Sequence, residues 1–339
     1  MTDRTPPGRP AALYLDLEGL DPRPGFDLLR RRGIEVVQDA DGPDDATLQR
    51  VVSLMVGYQH VGASCFERLP ALKLVATHSA GTDMVDVVEA RRRELWVANV
   101  PAAATEEVAV HALSMLLALV RDLPGLDAGV RAGRWNDDDR EPPRLPADLT
   151  LGIVGVGQIG ARLAELAAPL FGSVVGHDPQ APQERWPAGV ERLTLTDLLS
   201  RSNCISLHAP ATPATSRLLG RDSLARLPRG TVVVNVARGS LVDEAALLAA
   251  LESGQVAAAA LDVLNDEPPP TDHPLVSHPR VLLTPHAAYL SPSSLHRYVE
   301  IPARNVLAWW DRGRPLHPVL APSQQHPQPE RSEGSDCGE

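Results

Sequence analysis

Late in this sequence, polar side chains stand just beyond apolar runs. Arg238 follows the run in VVVNVARGS. Asp262 and Glu267 follow the one in AALDVLNDEP, and His286 follows VLLTP. In an open α/β sheet, ligands bind at the carboxyl ends of strands. One arginine, one acid and one histidine on neighbouring strand ends make a constellation able to transfer a proton. Taken singly, each has a plainer reading: a surface arginine, a solvated loop glutamate, a satisfied histidine.

A second chemical signal lies upstream, in LTLGIVGVGQIGARLAELAAPLFGSVVGHDP. Gly155, Gly157 and Gly160 have G-x-G-x-x-G spacing there. The bare string is a weak signal, and its setting decides the matter. The apolar run TLGIV precedes it as a buried strand should, and IGARLAELAAPLF follows it as a helix should. The first glycine lets the chain turn sharply. The second lets backbone approach a pyrophosphate, and the third allows close helix–strand packing. Gln158 and Ile159 open the helix, whose N-terminus offers N–H groups and positive potential to a phosphate. The next strand, SVVGHD, ends in Asp178, about 20 residues past the glycines, where an acid meets the adenosine ribose. A carboxylate there accepts from a 2′-hydroxyl and repels a 2′-phosphate. No arginine follows it in HDPQAPQ. The predicted cofactor is therefore NAD rather than NADP.

These residues need strands and helices to place them. Strand candidates ALYLDL, GIEVVQ, SLMVGY, LKLVATHS and WVANV alternate with helix candidates such as FDLLRRR and MVDVVEARRREL. A long helical pattern runs from about Thr105, a candidate cap, to Arg121, and is apolar over most of its circumference. A polar, proline-broken stretch, RAGRWNDDDREPPRLPADL, reads as a loop or arm. The alternation then restarts with TLGIVGVG, SVVGHDP, CISLHAP, GTVVVNVARG, AAAALDVL and VLLTPH, and a final helix covers about Pro292 to Trp310. The expected class is α/β, with two Rossmann-like or flavodoxin-like lobes, each a parallel sheet covered by helices, and a cleft between them. Residues 1–103, completed by 289–319, form the expected substrate domain, and 104–288 the dinucleotide domain.

The chain has 339 residues, 43% of them hydrophobic, which suggests about two domains. A formal net charge of -11 argues against nucleic acid as a partner. The cysteines Cys65, Cys204 and Cys337 form no C-x-x-C pair, so no zinc site or disulfide framework is implied, and a reducing cytoplasm fits. No metal-ligand spacing occurs. No apolar run approaches the ~18 residues of a membrane span, so no membrane partner is expected. Residues 321–339 lack large apolar side chains, and 320–339 read as a disordered tail.

From about Leu54 to Val319 the chain resembles the D-isomer-specific 2-hydroxyacid dehydrogenases. The glycine fingerprint, VNVARGSLVDEAAL, AALDVLNDEPPP and TPHAA occur in that family's order and spacing, as does NVPAAATEEVAVHALSMLLAL. TPHAAYLS and NVPAAATEEV are most similar to the branch containing the C-terminal-binding proteins, corepressors with a dehydrogenase fold. The resemblance implies hydride transfer between NAD and a 2-oxo or 2-hydroxy acid, the expected small-molecule partner. It implies His286 as the acid and base, Glu267 as its partner, and Arg238 as the clamp on substrate carboxylate and carbonyl. It places Asp262, Val236 and Ala237 beside the nicotinamide, His208, Ala209, Pro210 and Thr215 along the adenine and ribose, and counts Ala288 among the cofactor-binding residues. Substrate would meet the N–H groups of Ala80 and Gly81, with His60 and Tyr289 nearby. Related formate dehydrogenases carry glutamine where this chain has Glu267, so the acid favours 2-hydroxyacid chemistry.

Some positions depart from the family. Thr77 and His78 stand where arginine or asparagine is usual, Met84 replaces the last residue of GTDN, and Tyr289 replaces the tryptophan of the corepressor branch. These alter the expected pocket. His78 either extends a positive field or packs, and His111 and His177 are expected to pack. The leading expectation is a homodimeric, cytoplasmic NAD-dependent reductase. An NAD(H)-sensing corepressor or scaffold, or a phosphono-acid or sugar-acid reductase, stays open.

Overall fold

The computed structural model describes residues 9–16, 20–135 and 141–322. The chain divides into two compact units. One takes the chain up to Ala103 and again from Pro292, and the other is Ala104–Ser291. Tyr289, Leu290 and Ser291 thus belong to the second unit.

The first unit holds strands β1 (Ala11–Tyr14), β2 (Glu35–Gln38), β3 (Val51–Val56), β4 (Leu74–Thr77) and β5 (Trp96–Ala98). They alternate with helices α1 (Arg23–Arg31), α2 (Asp45–Leu48), α3 (Ala63–Glu67) and α4 (Val87–Arg92). The sheet order is β5-β4-β3-β1-β2, all parallel. This is the doubly wound order of a flavodoxin-like unit. Every residue of β3 and β4 is buried, as a parallel strand covered on both faces requires. Asp44 and Asp86 cap α2 and α4 by accepting from Thr47 N and Glu89 N. The long helix α11 (Pro292–Arg312) returns to pack on α1 and β4. One strand departs from the parallel expectation: β13 (Pro318–Leu320) runs antiparallel to β5. Leu320, expected at the start of the tail, is therefore part of the sheet and 5% exposed. The remainder of the expected tail, 323–339, lies outside the described residues.

The second unit begins with α5 (Thr105–Val120) and α6 (Leu123–Arg131). Then come β6 (Thr150–Val154), α7 (Gln158–Ala167), β7 (Ser173–His177), β8 (Glu191–Arg192), α8 (Leu195–Arg201) and β9 (Cys204–Leu207). α9 (Arg221–Leu224), β10 (Thr231–Asn235), α10 (Glu244–Ser253), β11 (Val256–Leu261) and β12 (Val281–Leu283) complete it. The sheet order is β12-β11-β10-β9-β6-β7-β8, parallel throughout. Strand order reverses between β6 and β9, the topological switch point at which such sheets bind ligands.

Helix α5 buries Val108, Ala109, Ala112, Met115, Leu116 and Val120, and packs on α7, β10 and β11. Thr105 does not cap it. The cap position is Ala104, with no side-chain bond, and Thr105 is the first helical residue. The macrodipole is met instead by Glu106 and Glu107 in the first turn. Glu106 also pairs with Arg162 of α7 at 2.7 Å.

Candidate active site

The β6–α7 turn forms one side of the switch point. Gly155 has φ +92, and a Cβ there would lie 2.5 Å from Ala209 N. Only glycine permits both the left-handed turn and this contact between the ends of β6 and β9. Gly157 is the cap residue of α7, and no side chain caps the helix. The N–H groups of its first turn are thus left to a ligand. A cavity of about 560 Å³ opens there, lined by Gly155, Gly157, Gln158, Asp178, Pro210 and Thr215 among others. Its volume suits a small-molecule or cofactor group.

Asp178 closes the far end of β7. Its Oδ2 accepts from Val156 N at 2.9 Å, and its Oδ1 accepts from Gln180 N at 2.8 Å and Ala181 N at 3.0 Å. The acid is therefore held in place before any ribose arrives. Arg192 braces the same loop, donating to Asp178 O at 2.7 Å and Ala181 O at 3.0 Å. Its guanidinium lies 4.6 Å from the Trp186 ring centroid. Arg192 is 14 residues past Asp178, and no local pattern announces it.

The expected cofactor residues divide into two groups. Ala209, Pro210 and Thr215 line the cavity with the glycine turn, whereas His208, Ile159 and Gly160 do not. The His208 ring meets Ser206 Oγ at 2.8 Å, and burial pushes its pKa down to about 3. His177 also lines the cavity and bonds Leu193 O at 3.0 Å through Nδ1. A glycine turn, an uncapped helix start and a pre-held carboxylate together fit the pyrophosphate and ribose of a dinucleotide.

The acid–base residues gather at the ends of β10, β11 and β12. Fully buried Asn235 shapes the first turn: its Nδ2 donates to Arg238 O at 2.9 Å, and its Oδ1 accepts from Ala237 N at 3.0 Å. The next residue, Gly239, packs so closely that a Cβ would lie 2.1 Å from the Leu264 carbonyl. The loop bearing Arg238 thereby touches the loop bearing Glu267. Glu267 Oε1 accepts from Leu264 N at 3.0 Å, and Oε2 lies 2.7 Å from His286 Nδ1. Burial raises the Glu267 carboxyl. The hydrogen bond and charge of His286, the Leu264 N–H and the Arg238 charge outweigh it, so its pKa is lowered. An ionised Glu267 can only accept, so Nδ1 carries hydrogen and Nε2 is the atom left to exchange a proton.

His286 itself has φ +50, a left-handed conformation, and its N–H reaches Asp262 O at 2.8 Å. Asp262, 2% exposed, spends its carboxylate on the loop: it accepts from the Thr284 hydroxyl and from the N–H groups of Ala287 and Ala288. The Tyr289 ring stands edge-on to His286, with centroids 6.2 Å apart. Val236 is 9% exposed beside the Arg238 turn.

The first unit carries the other expected substrate residues. His60 is exposed just beyond β3, where Asp16 accepts from Gly57, Tyr58 and Gln59 N–H across the β1/β3 switch point. Ala80 and Gly81 follow β4. Thr77 Oγ1 donates to Ser79 O at 2.9 Å, Ser79 Oγ to Gly81 O at 2.7 Å, and Asn99 Nδ2 to Ala80 O at 2.7 Å. The carbonyls of Ser79, Ala80 and Gly81 are thus taken by side chains. Sequence reading missed Asn99 in this role. His78 packs: it is 6% exposed and meets Tyr298 O at 2.8 Å through Nδ1. Burial pushes the Cys204 thiol up to about 12, so it is inert core. Among the described residues, no group of three His, Cys, Asp or Glu is placed to hold a metal, and no single helix is long and apolar enough to cross a membrane.

The sequence profile described as "D-isomer specific 2-hydroxyacid dehydrogenase, NAD binding domain" matches residues 113–288. The chain is 37% identical over 280 residues to a glyoxylate reductase of Korarchaeum cryptofilum, covering 81% of each chain. It is 40% identical over 256 residues to D-3-phosphoglycerate dehydrogenase of Mycobacterium tuberculosis, covering 74% of this chain and 48% of that one. It thus spans about half the length of that relative. Among solved structures, D-lactate dehydrogenase from Aquifex aeolicus, complexed with NAD and lactic acid, superposes with TM-score 0.82 at 26% identity, covering 92% of this chain and all of that one. An NADPH-dependent glyoxylate/hydroxypyruvate reductase from Sinorhizobium meliloti superposes with TM-score 0.79 at 32% identity, covering 92% and 97%.

Proposed function

From the membership of this chain in the D-isomer specific 2-hydroxyacid dehydrogenase family, we propose that it reduces a small 2-oxo acid to the D-2-hydroxy acid, with His286 as proton donor. The chain is an NAD-dependent oxidoreductase, and in this reading the unit Ala104–Ser291, which contains the matched residues 113–288, is its dinucleotide domain. The other unit is the substrate domain of this reading.

One observation carries the proposal: the 2.7 Å bond between His286 Nδ1 and Glu267, beside Arg238. When bound, reduced NAD supplies the hydride that adds to the carbonyl carbon. The residues of the chain do the rest. The carboxylate of Glu267 favours the imidazolium and fixes the ring, so that Nε2–H gives its proton to the carbonyl oxygen. Arg238 holds the substrate carboxylate and stabilises charge growing on that oxygen. On the first unit, Ala80, Gly81 and His60 are proposed as substrate-binding residues, and on the second unit Tyr289. Gly155, Gly157, Gln158 and Ile159 would hold the pyrophosphate, and Asp178 the ribose. In the reverse direction, Nε2 takes the proton back.

We also infer a homodimer. Val110, Leu123, Leu126 and Val130 on α5 and α6 are exposed apolar side chains of one unit, a pattern that favours burial against a second copy. Cytoplasmic residence belongs to the same reading, because the reaction draws on the cell's dinucleotide pool.

The test mixes the protein with NADH and glyoxylate, hydroxypyruvate, phenylpyruvate, 2-oxoisocaproate or phosphonopyruvate, and follows NADH absorbance. Oxidation with one or more acids is expected. No oxidation with any, despite tight NADH binding, would overturn the reductase reading.

A further inference from the structure

The catalytic loop is fastened by a chain of donors that begins on a distant helix. Asp262 accepts from Ala287 N at 2.8 Å and from Ala288 N at 3.0 Å. The Thr284 hydroxyl donates to the same carboxylate. A hydroxyl has one proton, and Thr284 has given its own to Asp262. His111, on α5, lies 3.1 Å from Thr284 Oγ1 through Nε2. Because Thr284 can only accept there, Nε2 of His111 must carry hydrogen and donate. The sequence His111 Nε2–H, Thr284 Oγ1–H, Asp262 carboxylate therefore ends on a buried anion, with each bond polarising the next. Its origin is firm, since α5 is packed on β10 and β11.

We propose that His111 and Thr284 are positioning residues for the acid–base reaction. Acting through Asp262, they fix the 284–288 loop in the one shape that keeps His286 left-handed at φ +50 with Nδ1 on Glu267. A left-handed histidine persists where its surroundings over-determine it. The inference rests on the reading of His286 as the acid.

Thr284→Val preserves shape and removes the hydroxyl, His111→Leu removes the donor, and His111→Gln restores one. Turnover with the best 2-oxo acid of the panel is measured across pH for each, alone and combined with His286→Ala. In Thr284→Val and His111→Leu, kcat falls about 10- to 100-fold, as a misplaced catalytic group causes. KM changes little, and the alkaline limb of kcat/KM moves to lower pH as His286 and Glu267 separate. His111→Gln recovers most of the loss. On the His286→Ala background, the same substitutions change turnover by less than about twofold, because the group they position is gone. Parental kcat in Thr284→Val, or a full loss persisting on that background, overturns the inference. Parental turnover in His286→Ala alone would instead sink the assignment of the acid, an outcome separable from the first.

Discussion

Glu267 Oε2 and His286 Nδ1 stand 2.7 Å apart, although their loops leave different strands. The Glu267 carboxyl titrates below its ordinary range, burial opposing the shift and the His286 bond and Arg238 charge driving it. It is therefore anionic through neutral pH and favours the charged imidazole. Glu267→Gln keeps the shape and removes the charge. The alkaline limb of kcat/KM for oxo-acid reduction should move to lower pH, with turnover near neutrality down about tenfold or more. Initial rates over a pH series decide it, and an unmoved limb would contradict the pairing. For stability the sign is the depressed-acid one: the contribution is present above the unfolded pKa and lost as pH falls through the folded one. Both side chains are partly exposed, so that contribution is small.

His286→Ala tests the proton donor directly. Loss of a general acid costs on the order of 10²-fold or more in kcat. The cavity beside Gly155 does not include His286, so NADH should still bind with an affinity close to that of the parent. Stopped-flow turnover and fluorescence titration separate the two quantities. Weakened NADH binding with intact turnover of the bound complex would reverse the assignment.

Legibility followed the range of the interactions. The glycine turn, Asp178 and the three strand ends could be read because each is a local pattern set against an apolar run. The Thr105 cap could not, since Ala104 takes the cap position and the dipole is met by glutamates. Strands β8 and β13 span two and three residues, too short for any periodicity, and β13 forms only by pairing with β5. Helix α6 begins with LPG and carries a second glycine, which masks its helical pattern. The bond from His111 to Thr284 crosses 173 residues, and the Asp16 cap on Gly57 crosses 41. Those partners become neighbours only once the sheet exists.

Acid should loosen the first unit at His78. Burial lowers its pKa, and neither the Tyr298 carbonyl nor the Asp16 charge offsets this. Among the described residues, its Nε2 is buried without a hydrogen-bond partner. The fold holds the ring neutral, while the unfolded chain takes up a proton once pH drops below about 6.5. Stability is complete above that value, declines as pH falls from there, and flattens below the folded pKa. His208, pushed down to about 3, adds the same slope in the second unit. Melting temperature measured from pH 8 to pH 5 should fall, and His78→Asn, which keeps a donor without titrating, should shrink the slope. An unchanged slope in that variant would exclude His78 as a source.

Charge on the exposed apolar face of α6 should separate a dimer. Leu123 and Leu126 are 56% and 38% exposed, so Leu123→Asp and Leu126→Asp leave the core of the unit intact and cost little stability, within about 0.5 kcal/mol. Sedimentation equilibrium should give twice the chain mass for the parent and the chain mass for the double variant. A parent that sediments as a single chain at micromolar concentration would remove the second copy from the proposal.

Choice of cofactor should rest on Asp178 and on how firmly it is held. Its carboxylate takes three backbone N–H groups, from Val156, Gln180 and Ala181. It cannot swing aside without breaking them, so a 2′-phosphate would meet a fixed anion. Asp178→Asn removes the charge and keeps an acceptor. The ratio of kcat/KM with NADH to that with NADPH should fall by about tenfold or more, mostly through weaker discrimination against NADPH. Arg192→Ala tests the brace. It frees the loop that Arg192 ties through Asp178 O and Ala181 O, so the carboxylate can move, and the same ratio should fall by a smaller factor. If Asp178→Asn leaves the ratio as in the parent, discrimination arises elsewhere in the cavity.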